Sequence, residues 1–279
     1  MPLPQDARWL ITGCSSGLGA ALAREVLTRG YAIAATARDT ATLKPIMALA
    51  PDRVQPLALD LADPQSIADA VSVATRRGPI HVLVNNAGHG YAATTEEGKE
   101  EQIRELFDVN FFGAAALIRA VLPSMRQADA GHIVNIGSIA GIRGNPGSAY
   151  YAASKFALEG LSDALADEVA AFGVGVTVVE PGPIRTDFTG RSMVVSPAID
   201  AYSGIAGGMR ERMKQLHGRQ KGDPARIAVL IVDALECPEP PRRLVVGAAA
   251  MQAATQKFSD VRADIDKWRE RSAATDFGE

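Results

Sequence analysis

The feature that most constrains this chain is an alternation. Short apolar runs of strand length recur at 8–12 (RWLIT), 31–36, 54–59, 80–84, 132–136, 174–179 and 244–246. Longer segments of helical period, such as 18–29, 64–77, 102–125 and 154–172, lie between them. Runs that are apolar throughout belong to strands buried on both faces, and strand–helix–strand repetition makes the sheet parallel. The pattern predicts an α/β fold: a doubly wound, Rossmann-type, mainly parallel sheet of seven strands with helices on both faces. No repeat or low-complexity linker divides residues 1–279, so a single domain is expected. The period weakens over 187–222, which reads as a flexible cap, and 251–271 reads as an amphipathic helix.

The first strand runs straight into Gly13, Cys14, Ser15, Ser16, Gly17, Leu18 and Gly19, where a helical pattern begins. Glycine lets backbone approach a diphosphate closely, and the N–H groups and dipole of the following helix attract the anion. Three glycines alone are a weak signal; their place between the first strand and the first helix makes them a dinucleotide loop. The alternative is an ordinary Gly-rich turn. At the end of the second strand stand Thr36, Ala37, Arg38 and Asp39. NAD sites place an acid there for the ribose 2′-hydroxyl. Ala37 leaves that position open and Arg38 offers a fork for a phosphate, with Ser15 adding a hydroxyl, so NADP (NADPH) is the expected cofactor. A strand end shifted by one residue would make Asp39 the acid and NAD the cofactor. Asp60 and Leu61, after the third strand, are placed for the adenine edge; Asp60 serves equally as a cap for the helix beginning at Pro64.

Tyr151 and Lys155 stand four apart at the start of a predicted helix and share one face. A free tyrosine titrates near 10, too high for acid–base work at neutral pH; a nearby ammonium lowers it. The pair suits proton exchange with a carbonyl or alcohol oxygen. Tyr150 has only Ser154 at the same offset. A Tyr/Lys pair at this spacing also arises by chance on helix surfaces.

The TGCSSGLG loop, the Asn85-Asn86-Ala87-Gly88 run, Ser138, the YAASK segment and Pro181-Gly182 follow one another in the order and spacing of one family. On these motifs, over roughly 8–188, the chain resembles the short-chain dehydrogenases/reductases. The CSSG loop, the ATARD strand end and the pattern Trp268, Ser272, Thr275, Asp276, Phe277 look most like the 17β-hydroxysteroid-dehydrogenase-like subgroup. The resemblance implies a hydride transfer between NADP(H) and a carbonyl or alcohol. It implies that Ser138 holds the reacting oxygen, that Tyr151 is the acid–base group, and that Lys155 binds the nicotinamide ribose and lowers the tyrosine pKa. Asn110 would support a proton relay. Asn86, Ala87 and Gly88 would line the adenosine, and Pro181, Gly182, Ile184 and Thr186 the nicotinamide. It also implies a homo-oligomer, a dimer or tetramer built on helices 102–125 and 154–172.

Composition narrows the alternatives. Net charge is −3 and no basic run with interleaved aromatics occurs, so no nucleic-acid partner is expected. Cys14 and Cys237 form no framework, and His81, His89, His132 and His217 show no ligand spacing, so no metal is expected. Cys14 reads as a small packed residue and His89 as a loop histidine that borders the pocket at most. The N-terminus lacks a signal pattern and no apolar run approaches the ~18 residues of a membrane span, so a cytoplasmic protein without a membrane partner is expected. Met193, Met209 and Met213 in the cap either line an apolar substrate pocket or pack on the cap's own helix; the run Arg210, Glu211, Arg212 reads as a solvated face. Two rival functions remain at this point: a nucleotide-binding sensor without turnover, and an NAD-linked alcohol dehydrogenase of the same fold.

Overall fold

The computed structural model describes residues 3–277. The strands are β1 (Arg8–Ile11), β2 (Ala32–Ala37), β3 (Val54–Ala58), β4 (Val82–Asn85), β5 (Gly90–Ala92), β6 (Gly131–Ile136), β7 (Val174–Pro181), β8 (Met193–Val195) and β9 (Arg243–Val246). Seven of them form one sheet in the order β3-β2-β1-β4-β6-β7-β9, every neighbouring pair parallel. The helices are α1 (Gly17–Thr28), α2 (Lys44–Met47), α3 (Pro64–Thr75), α4 (Glu100–Phe107), α5 (Gly113–Gln127), α6 (Ala149–Val169), α7 (Gly208–Leu216), α8 (Pro224–Glu236) and α9 (Ala248–Ala273). All seven predicted strands are present and the predicted fold class is the observed one.

The alternation of strand side chains divides the core in two. Trp9 and Ile11 point to the face covered by Leu22 and Val26 of α1 and Ile231 and Leu235 of α8. Leu10, Leu83 and Ile133 point to the other, against Ile67 of α3, Leu117 and Val121 of α5 and Leu165 of α6. Each such side chain contributes roughly 1.5–3 kcal/mol of transfer free energy, which is why the sheet is covered on both sides. Strand order reverses between β1 and β4, with β2 on one side and β6 on the other, so the crevice beyond their C-terminal ends is where a ligand sits in such a sheet.

Three expectations are corrected. The helix expected over 102–125 is not uniform: α4 and α5 are joined by a π-helical turn at Asp108–Phe112 that contains Asn110. The stretch Glu100–Gln127 is also long and apolar enough to cross a membrane by length and composition, against the reading that no run approaches that limit. Alanines and phenylalanines among the aliphatic residues raise its mean hydropathy, and Leu117, Ile118, Val121 and Met125 pack into the core. Finally, 187–222 holds regular structure where no period was legible: 3₁₀ turns at Asp187–Thr189 and Asp200–Tyr202, strand β8, a π turn at Ser203–Gly207 and α7. Strand β8 pairs in parallel with β5, Gly90 opposite Met193, which fastens this segment to the loop that follows β4.

Candidate active site

The C-terminal ends of β1, β4, β6 and β7 deliver the predicted residues to one edge of the sheet. After β1 the chain turns at Gly13, whose φ of +72° favours glycine. A Cβ on Gly19 would collide with the Gly13 carbonyl oxygen and Asn86 Nδ2, so helix and loop are in direct contact there. Ser16 precedes α1 in extended conformation and its side chain makes no capping bond, which leaves the helix N-terminus, with Leu18 in its first turn, open to an anion. The loop is braced from below. Thr12 Oγ1 accepts from the N–H groups of Asn86 and Ala87, both at 2.8 Å, and Asn86 Nδ2 donates to the Thr12 carbonyl at 2.7 Å. Asn85 points elsewhere: its Nδ2 donates to Asn135 Oδ1, whose own Nδ2 reaches Ser162 Oγ, tying β4, β6 and α6 together. Cys14 is buried, and burial pushes its thiol up to about 12, so it is a packed residue and no thiolate.

The end of β2 falls at Ala37. Asp39 is committed to its own backbone: its carboxylate accepts from the Ala41 N–H at 2.9 Å and caps the 3₁₀ turn Thr40–Leu43. Arg38 is exposed and makes no ion pair among the described residues. Asp60 is exposed and accepts from the Ala62 N–H; the cap of α3 is Asp63, which accepts from Gln65, so the capping role considered for Asp60 belongs three residues on. Leu61 is buried in the core, where its carbonyl and Cβ lie against Gly113.

The reaction centre is assembled from β6, the π turn and α6. Ser138 leaves β6 in extended conformation, its hydroxyl accepts from the Ala140 N–H at 3.1 Å, and it sits near enough to the Tyr151 phenol to act on its pKa. Lys155 Nζ is buried, donates to the Ile136 carbonyl at 2.8 Å and lies 6.0 Å from the Tyr151 ring centre. Asn110 is buried; its Nδ2 donates to the His89 carbonyl at 2.9 Å and its Oδ1 accepts from the His89 N–H at 3.0 Å. The extra residue of the π turn is what carries Asn110 inward against Gly88 and Ser154. Tyr150 points away and donates to the Thr95 carbonyl, which leaves Tyr151 as the tyrosine of the site. Beyond β7, Pro181 closes the strand, Gly182 N–H bonds to the Val246 carbonyl, Ile184 bridges to Gly222, and Thr186 passes over Gly17.

The electrostatics differ from the sequence expectation. Burial pushes the Tyr151 phenol up to about 12, opposed only by the Ser138 hydroxyl. Burial also depresses the Lys155 ammonium to about 8, and its Nζ is turned to the Ile136 carbonyl. One turn on, Glu159 is held up to about 8 by burial and by the neighbouring Glu180, while Arg243 pulls the other way.

Three residues take roles that the sequence reading did not give them. Phe188 stands 5.8 Å from the Tyr151 ring and covers it. His89 Nε2 is buried without a partner among the described residues, and burial lowers the ring's pKa, so it is neutral. Arg210 is no solvated face: it pairs with the buried Glu97 at 2.6 Å, while Glu97 also accepts from the Thr94 and Ile199 N–H groups. A charge run on a helix gives no sign of a buried partner more than a hundred residues away. Met193 packs on Gly90 and Phe188, whereas Ile205, Met209 and Met213 border a cavity of about 320 Å³ beside Asn145 and Ser148.

The glycine loop, the open helix end and the Ser138–Tyr151–Lys155 cluster have the arrangement that a nucleotide-dependent redox site would need, and the comparisons give the family. The family model described as short chain dehydrogenase matches residues 8–193, and the chain belongs to that family. It is 37% identical over 269 residues to Oxidoreductase BOA17 of Botryotinia fuckeliana, covering 96% of this chain and 98% of that one. It is 33% identical over 248 residues to human 17-beta-hydroxysteroid dehydrogenase type 1, covering 84% and 75% of the two chains. The crystal structure of a short-chain dehydrogenase from Streptomyces avermitilis superposes with a TM-score of 0.91 at 40% identity, covering 97% of this chain and 100% of that one. Among similar folds with cofactor bound, a Burkholderia phymatum chain (22% identical, TM-score 0.82, 93% and 95% covered) is a complex with NAD, and a Burkholderia cenocepacia chain (26% identical, TM-score 0.75, 95% and 98% covered) a complex with NADP. The protein is an oxidoreductase of this family acting on a small molecule.

Proposed function

We propose that this oxidoreductase uses NADP(H) and reduces a largely apolar carbonyl compound, or oxidises the corresponding alcohol, in the cytoplasm. The reading rests on one observation above the rest: Ser138 and the Tyr151 phenol meet at the sheet edge beside the buried Lys155. The residues present fit a dinucleotide. Gly13, Gly17 and Gly19 keep side chains out of the loop, and the unclaimed N-terminus of α1 suits a diphosphate held with Ser15 and Ser16. Asn86, Ala87, Gly88, Asp60 and Leu61 would border the adenosine, and Pro181, Gly182, Ile184 and Thr186 the nicotinamide. Preference for NADP over NAD is supported by Asp39, whose carboxylate is spent on a cap, and by Arg38, whose guanidinium is exposed.

The bound nicotinamide supplies the hydride in reduction and accepts it in oxidation. The protein's share is orientation and the proton. The Ser138 and Tyr151 hydroxyls donate to the substrate oxygen as negative charge grows on it. Tyr151, protonated at neutral pH, gives that oxygen its proton. Lys155 would hold ribose hydroxyls of the nucleotide, and its ammonium would stabilise the phenolate left behind. Asn110 keeps the His89 segment in place at the mouth of the proton path.

The segment 187–222 forms the substrate cap. Phe188 covers the reacting tyrosine, and Ile205, Met209 and Met213 supply an apolar wall. The faces of Glu100–Gln127 and α6, which expose Phe112 and Phe156, form a homo-oligomer contact. Turnover of hydrophobic ketones and aldehydes with NADPH, compared between the wild type and Tyr151→Phe, tests the reading. Activity lost in the variant with NADPH binding retained supports it. Equal activity in both, or no turnover by the wild type despite NADPH binding, favours a sensor.

A further inference from the structure

Helix α9 leaves the body of the protein after two turns. Ala250 and Ala254 are buried, and beyond Lys257 every described residue of the helix is exposed. An isolated helix of about 16 residues is marginal in water, so this one needs a surface to pack on. Its apolar residues say which kind. Met251, Ala254, Phe258, Val261, Ile265 and Trp268 follow one another at alternating spacings of three and four, the a and d positions of a coiled-coil seam. The five large ones are 39–57% exposed. A stripe of that period fits a second helix better than a sheet or a flat surface.

The flanking charges choose the partner. Acidic and basic residues balance over 255–276, whereas a helix that lies on an anionic membrane carries a cationic excess. We propose that α9 pairs antiparallel with α9 of a second copy, with Phe258 of each chain against Val261 of the other. This register sets Lys257 opposite Asp264 of the partner subunit, twice by symmetry, and Thr255 opposite Arg262 of the partner subunit, so no like charges meet. It also sets Met251 against Trp268 of the partner subunit. A parallel pair would bring Lys257 against Arg262 of the partner subunit, which cancels its one attractive flank contact, Asp264 against Arg269 of the partner subunit. An antiparallel pair with Phe258 against Trp268 of the partner subunit would put Asp264 against its own symmetry mate, and Arg262 likewise. The paired stripes together cover on the order of 1,000 Å², the size a specific interface needs. The contact is separate from the faces of Glu100–Gln127 and α6 and adds one step of assembly to whatever those provide.

Sedimentation velocity on the full-length wild type, Phe258→Glu/Ile265→Glu, Lys257→Asp and Lys257→Asp/Asp264→Lys tests this, with NADPH fluorescence titration as the control for folding. The apolar double variant is expected to lose one step of assembly and keep its NADPH binding. Lys257→Asp is expected to weaken the step about tenfold or more, and the double charge swap to restore it. Equal masses for the wild type and the apolar double variant would overturn the proposal. So would tighter assembly of Lys257→Asp, the mark of a parallel pair. Wild-type binding to mixed phosphatidylcholine–phosphatidylserine vesicles that is abolished in the apolar variant without any change of mass would overturn it in favour of a lipid surface.

Discussion

Lys155 Nζ lies 6.0 Å from the centre of the Tyr151 ring while donating to the Ile136 carbonyl at 2.8 Å. The two groups that define the reaction centre are therefore neighbours without being bonded. Each is displaced by burial toward its neutral form, the phenol up to about 12 and the ammonium down to about 8. A neutral phenol beside a serine hydroxyl is a proton donor in waiting. Replacing Tyr151 by Phe removes the proton and little else, because the ring still packs on Phe188. Turnover should fall at least ~100-fold, with NADPH affinity within about twofold of wild type. Steady-state rates and a fluorescence titration on the same preparations check both halves.

Stability should vary with pH in a way that Glu159 controls. Burial and Glu180 favour its protonated form, so its contribution is full at pH below the usual carboxylate range and is lost as pH rises toward about 8. Burial favours neutral Lys155, so the fold regains stability as pH climbs from about 8 through the ordinary lysine range. Denaturant midpoints measured across this range should pass through a minimum near pH 8. Glu159→Gln, which keeps the shape and removes the titration, should flatten the falling limb between mildly acidic pH and pH 8.

The 187–222 segment is fastened to the loop after β5 by an ion pair between Arg210 and Glu97. Glu97 is fully buried, and although burial raises its pKa, the Thr94 and Ile199 N–H groups and Arg210 outweigh it and leave the carboxyl below its usual range. Arg210→Ala strands that charge, at a cost of about 3 kcal/mol. The strain falls on the join between the cap and the loop after β5, so KM for an apolar substrate should rise several-fold more than kcat falls. Equal and large losses in both parameters would place Arg210 in the reacting centre instead.

How much of this was legible in the sequence follows from the range of the forces involved. Strand runs and the glycine loop are local patterns, and β1 at Arg8–Ile11 and β7 at Val174–Pro181 lie close to where periodicity puts them. The family motifs brought Ser138, Tyr151, Lys155 and Asn110 into view one by one. Their chemistry depends on what surrounds them, and that is set by tertiary packing. The π turn at Asp108–Phe112 contains no glycine or proline to announce it. Pairing of β5 with β8 joins segments a hundred residues apart, each too short to show a period. The buried partner of Arg210 was hidden for the same reason. Spacing reveals that Lys155 is near Tyr151, but not that burial acts on both groups or that Nζ is turned to the Ile136 carbonyl.

The proposed cofactor preference rests on Arg38 and not on Asp39, whose carboxylate is bonded to the Ala41 N–H. Arg38→Ala should cost NADPH about 1.5–3 kcal/mol, roughly 10- to 100-fold in Kd, and leave NADH nearly unchanged. Asp39→Asn, which keeps an oxygen for the Ala41 N–H, should leave the NADPH to NADH ratio near wild type.

The most direct test of the central claim is a fluorescence titration of the wild-type protein with NADPH and, separately, with NADH. The account predicts tight NADPH binding with NADH at least tenfold weaker. Preference for NADH would contradict the reading of Arg38 and turn the search toward alcohols oxidised with NAD, and binding of neither would contradict the assignment of the glycine loop itself.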